Sequence, residues 1–169
     1  AWSFADFYSY VCRMIGQNGR RGALMISMDI RHPDIAEFVK MKHDLSKVTG
    51  ANVSVKITDE FMEAVEKQET FTLQFPVTAT SPEYTSEINA TQLWATIIES
   101  ATTTAEPGLL MWDNIIKNLP AHCYPEFETK TTNPCGEIPL SAYDSCRLVS
   151  LNLKSLVKNS FEKNAEFDF

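Results

Sequence analysis

The run from Ala51 to Thr58 constrains the fold more than any other part of this chain. Ala51, Val53, Val55 and Ile57 alternate with Asn52, Ser54 and Lys56. That period of two belongs to a strand with one apolar and one polar face. Thr58 follows at once, with Asp59 and Glu60 behind it, so an N-cap side chain and first-turn negative charge start a helix where the strand stops.

The same alternation of element types runs through the rest of the chain. Trp2, Phe4, Phe7, Tyr8, Val11, Cys12 and Ile15 recur at helical spacing until Gly16, and Gln17 to Gly22 reads as a turn or loop. Ala23 to Met28 is apolar enough for a buried strand, and Pro33 suits the first turn of a helix facing inward with Ile35, Phe38 and Val39. The polar stretch His43 to Gly50 reads as a loop. The helix capped by Thr58 turns Phe61, Met62 and Val65 inward; Phe71, Leu73 and Phe75 then alternate as a strand. A Pro/Ser/Thr-rich linker is predicted from Pro76 to Ser86, a helix over about Thr91 to Thr103, and a strand over Gly108 to Trp112. A long loop over Asn118 to Thr132 and a strand over Leu148 to Leu151 complete the pattern. Crossovers of these lengths suit parallel pairing, so the class is α/β, with open sheet and barrel both compatible.

With 169 residues, 44% hydrophobic and 22% charged, the chain has material for one ordinary globular domain. No apolar run approaches the roughly 20 residues of a membrane span, and the first residues lack the basic start and apolar stretch of a signal peptide. The net charge of −7 argues against a protein that grips the phosphate backbone of nucleic acid. Arg20 and Arg21, or Lys40, Lys42 and Lys47, either form a solvated face or receive the phosphates of a small nucleotide. The four cysteines form no CxxC pair and read as reduced thiols, which makes a cytoplasmic location the default. A start without Met inside a helical pattern, and a stop at Phe169 where a new element begins, lead us to expect one piece of a longer enzyme.

The chemistry concentrates in Asn133-Pro134-Cys135-Gly136-Glu137, with Cys146 eleven residues beyond Cys135. Pro134 and Gly136 shape a tight loop around a thiol flanked by a carboxamide and a carboxylate. In an extended loop alternate side chains share a side, so Asn133, Cys135 and Glu137 are expected to face one pocket. Each has a bland reading as well: a buried small hydrophobe for Cys135, a surface ion-pair partner for Glu137, a turn residue for Asn133.

Thr132-Asn-Pro-Cys-Gly-Glu-Ile-Pro-Leu140 with Tyr143-Asp-Ser-Cys-Arg-Leu148 resembles the finger-loop region of ribonucleotide reductase catalytic subunits, closest to the adenosylcobalamin-dependent (class II) branch. Gly19-Arg-Arg-Gly-Ala-Leu-Met25, His32-Pro-Asp-Ile35, Lys42 to Ile57, Gly108 to Asn114 and Phe167-Asp-Phe169 agree in the same order. The resemblance runs from about Cys12 to the last residue; Ser141 departs from it, standing where relatives often carry cysteine.

The resemblance implies part of a ten-stranded α/β barrel with a central finger loop, residues 1–169 being a segment of the catalytic barrel domain incomplete at both ends. Cys135 would be the transient thiyl radical that removes the ribose 3′-hydrogen, Glu137 the general base on the 3′-hydroxyl, and Asn133 the group that orients the sugar hydroxyls. Cys146 would be one member of a reducing dithiol whose other member lies upstream of this chain. Lys42 to Asn52, including Asp44, Lys47, Thr49 and Gly50, would be the substrate-specificity loop that responds to a (deoxy)nucleoside triphosphate effector. The implied partners are a ribonucleoside di- or triphosphate substrate, a thioredoxin- or glutaredoxin-type reductant, the remainder of the catalytic subunit and a second copy in a homodimer, with neither membrane nor nucleic acid. Adenosylcobalamin is the implied cofactor; a separate dimetal-tyrosyl radical subunit is its alternative. Two rivals stand outside the family: a zinc-binding module built on His122, Cys123, Cys135 and Cys146, and a cysteine hydrolase pairing Cys135 with a histidine.

Overall fold

The computed structural model describes residues 1–168; the Phe169 end of the last matching segment lies outside them. The elements run α1 (Trp2–Met14), β1 (Gly16–Gln17), β2 (Arg20–Arg21), β3 (Met25–Asp29), α2 (Ile35–Lys40), β4 (Asn52–Ile57), α3 (Asp59–Lys67), β5 (Thr70–Phe75) and β6 (Tyr84–Asn89). Then come α4 (Ala90–Thr104), β7 (Gly108–Met111), α5 (Trp112–Asn118), β8 (Thr129–Thr132), β9 (Pro139–Ser141), β10 (Val157–Lys158) and β11 (Glu166–Phe167).

At the centre β3, β4 and β7 form a parallel three-stranded sheet in that order, with Met25 opposite Asn52 and Ser54 opposite Gly108. The class is mixed α/β, as the alternation predicts. Among the described residues the sheet is open and does not close into a barrel. Its middle strand is covered on both faces. Val53, Val55 and Ile57 point into a core shared with Ile35, Phe38, Val39, Phe61, Leu93 and Ile97. On the other face Ser54 is also buried, beneath Gly108, where a Cβ would stand 2.7 Å from Ser54 Oγ.

α3 starts as its sequence requires. Thr58 Oγ1 accepts from Phe61 N at 3.3 Å, and Gln68 ends the helix in the left-handed region. Phe61 is fully buried and meets Phe71 and Trp94 edge-on, with ring centroids 5.1 and 6.4 Å away. Phe61→Ala is expected to cost about 3–5 kcal/mol, seen as a lower urea midpoint, because three aromatic rings cannot close over so large a cavity. A midpoint within error of wild type would place the core's centre elsewhere.

Several expectations give way. The linker predicted over 76–86 ends inside β6, which pairs antiparallel with β5 from Thr70–Asn89 to Phe75–Tyr84; its Tyr, Thr and Ser are good strand formers once a partner exists. The strand predicted to Trp112 stops at Met111, and Trp112 opens α5. The loop predicted over 118–132 contains two short 3₁₀ turns and β8. Residues 148–151 form no strand. Gln17 to Gly22 is a small hairpin of β1 and β2. In α1 the apolar stripe faces out, with Phe4, Phe7, Tyr8 and Ile15 exposed, while Ala5 and Ser9 are buried. The reason is polar: Asp6 Oδ1 accepts from Val48 N at 2.8 Å and Ser9 Oγ from Gly50 N at 2.7 Å. Backbone donors of the 44–50 loop would otherwise be unpaired, and they select that face of the helix. Cys12, which belongs to the same apolar repeat, is only half-buried, beside Arg20, Arg21 and Gly22.

Candidate active site

β8 and β9 form an antiparallel hairpin whose connection, residues 133–138, is the candidate finger loop. Gly136 N donates to Asn133 O at 3.0 Å, closing a β-turn with Pro134 and Cys135 at its two central positions and Gly136 last, at φ +85°. Pro second and Gly fourth are what such a turn favours. The alternation of an extended loop therefore does not apply here. Asn133 is buried, while Cys135 and Glu137 are exposed.

Asn133 is used from every side. Its backbone N donates to Ile138 O at 3.0 Å and its Oδ1 accepts from Ile138 N at 3.0 Å. Its Nδ2 points at Cys146 Sγ, 3.9 Å away. The carboxamide thus pins the two ends of the loop together and touches the second thiol, although 13 positions separate them. Among the described residues, no hydrogen bond uses Cys135 Sγ. The thiol stands free on a rigid turn.

The hairpin lies across the polar face of the sheet. Ser27 Oγ and Thr131 Oγ1 are 2.9 Å apart, Lys56 Nζ donates to Lys130 O, and Asn52 Nδ2 donates to Pro134 O at 2.7 Å. Lys56 also sits over the Trp112 ring, 4.1 Å from its centroid. Burial pushes the Lys56 ammonium below the ordinary lysine value, and Asp29 opposes that shift. Ser27 and Thr131, and the docking role of Lys56, are not evident from the residue string. The available signal was the polar stripe Asn52-Ser54-Lys56 on a strand whose other face is buried, since such a stripe needs a polar partner.

The candidate specificity segment is less uniform than its sequence suggests. Lys42 lies in a 3₁₀ turn (Met41–His43), where its ammonium meets Glu106 at 2.5 Å and Ala51 O at 2.5 Å. Glu106 also accepts from Val53 N at 2.8 Å, so Lys42 braces the start of β4 rather than waiting for a phosphate. Asp44 accepts from the hydroxyl and backbone of Ser46, which with Lys47 at 3.3 Å holds its carboxyl below the usual range. Lys47 also sits 4.4 Å from the centroid of the Trp2 ring. Val48 is fully buried at φ +49°, a costly conformation for a β-branched residue. Thr49, Gly50 and Asn52 line a hollow of about 290 Å³ with Arg13 and Arg21. A Cβ on Gly50 would stand 2.5 Å from Arg13 Cγ and 2.7 Å from Ser9 O. Gly50→Ala is therefore expected to cost about 1–3 kcal/mol through overpacking, read as a lower thermal midpoint. An unchanged midpoint would mean that α1 yields freely to the loop.

Two residues of the zinc rival, His122 and Cys123, are otherwise engaged. His122 Nδ1 accepts from Thr129 N at 3.2 Å, and Cys123 Sγ approaches Pro120 O at 2.9 Å. Among the described residues no three His, Cys, Asp or Glu side chains gather as a metal site. None of the described helices is long and apolar enough to cross a membrane.

A family model described as "Ribonucleotide reductase, barrel domain" matches residues 1–169. The chain belongs to the ribonucleotide reductase barrel-domain family. Its relatives include the vitamin B12-dependent ribonucleoside-diphosphate reductase of Thermoplasma acidophilum, 37% identical over 168 residues, which are 98% of this chain and 21% of that protein. The enzyme of the same description from Mycobacterium tuberculosis is 36% identical over 157 residues, 92% of this chain and 22% of its own. A vitamin B12-dependent ribonucleotide reductase of Streptomyces coelicolor is 31% identical over 172 residues, covering 88% of this chain and 17% of its own. The reductase-family chain thus spans about a fifth of the length of these relatives.

Proposed function

We propose that this chain is a segment of the catalytic barrel domain of an adenosylcobalamin-dependent ribonucleotide reductase, and that its turn carries the radical cysteine. The observation that carries the reading is a bare, exposed thiol on a turn locked from both ends by a buried Asn133, in a chain of this family. The parent fold is a ten-stranded barrel around that loop, completed by the remainder of the subunit.

Adenosylcobalamin asks of these residues only a thiol within its reach, and the exposed Cys135 fits that requirement; when bound, the cofactor supplies the one-electron oxidation that makes the thiyl. Cys135 then takes the hydrogen atom from the ribose 3′ carbon, forming S–H and leaving a carbon radical. Sulfur suits the task because its S–H bond is close in strength to the C–H bond broken. Glu137, solvent-facing two residues away, accepts the 3′-hydroxyl proton as water leaves the 2′ carbon. Cys146 and a second thiol from the rest of the subunit supply two electrons and two protons and become a disulfide. The hydrogen atom held by Cys135 returns to the 3′ carbon and the proton held by Glu137 to the 3′ oxygen, regenerating the thiyl and the carboxylate. The net change is ribonucleotide plus dithiol to deoxyribonucleotide, disulfide and water. A thioredoxin- or glutaredoxin-type protein restores the dithiol in the cytoplasm.

The hollow beside Thr49 and Gly50, with its two guanidinium groups, supports reading residues 42–52 as the loop that answers a nucleotide effector. In this reading Lys42 and Asp44 brace the segment, Thr49 and Gly50 face the ligand side, and Asn52 ends the segment with its carboxamide on Pro134 O. The substrate is a ribonucleoside di- or triphosphate, and the working enzyme is a homodimer.

The test uses the complete native polypeptide with adenosylcobalamin, a dithiol and a cytidine nucleotide. Cobalamin-dependent deoxycytidine nucleotide is the expected result. Product only with a dimetal radical subunit would overturn the cofactor, and none under either condition would overturn the reductase reading.

A further inference from the structure

The candidate radical turn and the candidate specificity loop meet at one side chain. Asn52 is the first residue of β4 and stands two positions beyond Gly50. Its Nδ2 donates at 2.7 Å to Pro134 O, the carbonyl immediately before Cys135. The backbone around Asn52 is held on every side: its own N donates to Leu24 O at 2.8 Å, Ala51 O accepts from Lys42, and Gly50 N donates to Ser9. A displacement of the loop strand at this point has little slack in which to dissipate. On the receiving side the Pro134 peptide is planar and its ring fixes φ, so a shift of its carbonyl carries Cys135 with it.

The other contacts between hairpin and sheet differ in kind. Ser27 with Thr131, and Lys56 with Lys130, hold the stem. Asn52 alone among these holds the turn itself. The loop on its near side also contains Val48, buried at φ +49°, a conformation that persists only while its surroundings impose it. A second arrangement of the 43–50 loop would relax that residue and move the strand entry where Asn52 sits.

We propose that Asn52 is a positioning residue that sets the placement of Cys135 and transmits rearrangements of the 43–50 loop to the thiol. This rests on the thiyl reading of Cys135 and extends it: nucleotide at the loop controls how well the radical cysteine is aimed. Hydrogen-atom transfer falls steeply with misplacement, so one hydrogen bond at this point is a sensitive control.

The experiment compares the wild-type complete polypeptide with Asn52→Ala and Asn52→Asp. Asp keeps the size, removes the donor and sets a carboxylate against the Pro134 carbonyl. We expect kcat to fall about 10-fold for Ala and about 100-fold for Asp, since a shift near 1 Å at reacting atoms costs that much. KM should stay within about twofold, because substrate binding is not what changes. Iodoacetamide labelling of Cys135, resolved by peptide mass spectrometry, should change in rate when dGTP or dTTP is added to wild type and not in either variant. Cys123, outside the hairpin, serves as the internal standard.

Ser27→Ala loosens the stem of the same hairpin and should retain the nucleotide response at Cys135. Loss of the response there too would reduce Asn52 to one staple among several and overturn the proposal. An unimpaired kcat in Asn52→Asp, or a wild-type nucleotide response in it, would overturn the link while leaving the reductase reading intact. Wild type that makes no deoxynucleotide with any radical source would overturn the reductase reading, and the link with it.

Discussion

Cys135→Ala, in the complete catalytic polypeptide, is expected to lower deoxynucleotide formation by at least about 10⁴-fold while nucleotide binding persists. The loop should survive this substitution because none of its fixed points uses the sulfur. Gly136 N to Asn133 O, Asn133 N to Ile138 O, Ile138 N to Asn133 Oδ1 and Asn52 Nδ2 to Pro134 O are all independent of it. Cys135 is exposed, so truncation leaves no cavity. What is lost is chemical: the methyl group of alanine has no bond weak enough to exchange a hydrogen atom with ribose in both directions. Equilibrium dialysis of the nucleotide and a turnover assay on the same preparation decide the matter. Appreciable turnover would remove Cys135 from the reaction, and lost binding with lost turnover would make it structural.

Cys146→Ser should separate two stages that Cys135→Ala cannot. In the proposed reaction the radical chemistry needs only Cys135 to begin, but reduction consumes a thiol pair each cycle. A serine oxygen cannot form the disulfide, so with a thioredoxin-type reductant the variant should make at most one equivalent of product per site, or none. Its fold should hold, because Cys146 is exposed and its recorded contact is the 3.9 Å approach of Asn133 Nδ2. In the proposed reaction that contact would give Asn133 a part in this step as well, since the carboxamide that locks the turn also borders Cys146. Wild type quenched during turnover should yield a disulfide peptide containing Cys146 and none containing Cys123. Sustained cycling by Cys146→Ser would take Cys146 out of the redox pair.

What is local was legible in the residues. The period of two over 51–57, the Thr58 cap and the helix from about Thr91 are decided within a few positions by backbone hydrogen bonding and side-chain entropy. The tight loop of Asn133-Pro-Cys-Gly-Glu was legible for the same reason, since Pro second and Gly fourth favour a turn. Its geometry was misjudged because extended chain and turn place Asn133 differently, and the choice hangs on hydrogen bonds to Ile138 that a residue string does not display.

The outward apolar face of α1 shows the limit from another side. Periodicity names a stripe, but the partner decides its direction, and here the partner is the polar 44–50 loop held by Asp6 and Ser9. Lys42 reads equally well as a phosphate ligand and as a brace until Glu106, far along the chain, is found against it. By itself the sequence determined the main helices, the central strands and the Pro/Gly-shaped loop with its thiol, because those depend on neighbours in the chain. Only the tertiary structure decided that Asn133 turns inward to Cys146, that Lys42 is already paired, and that Asn52 joins two loops 82 residues apart, because those depend on which distant backbone groups need a partner.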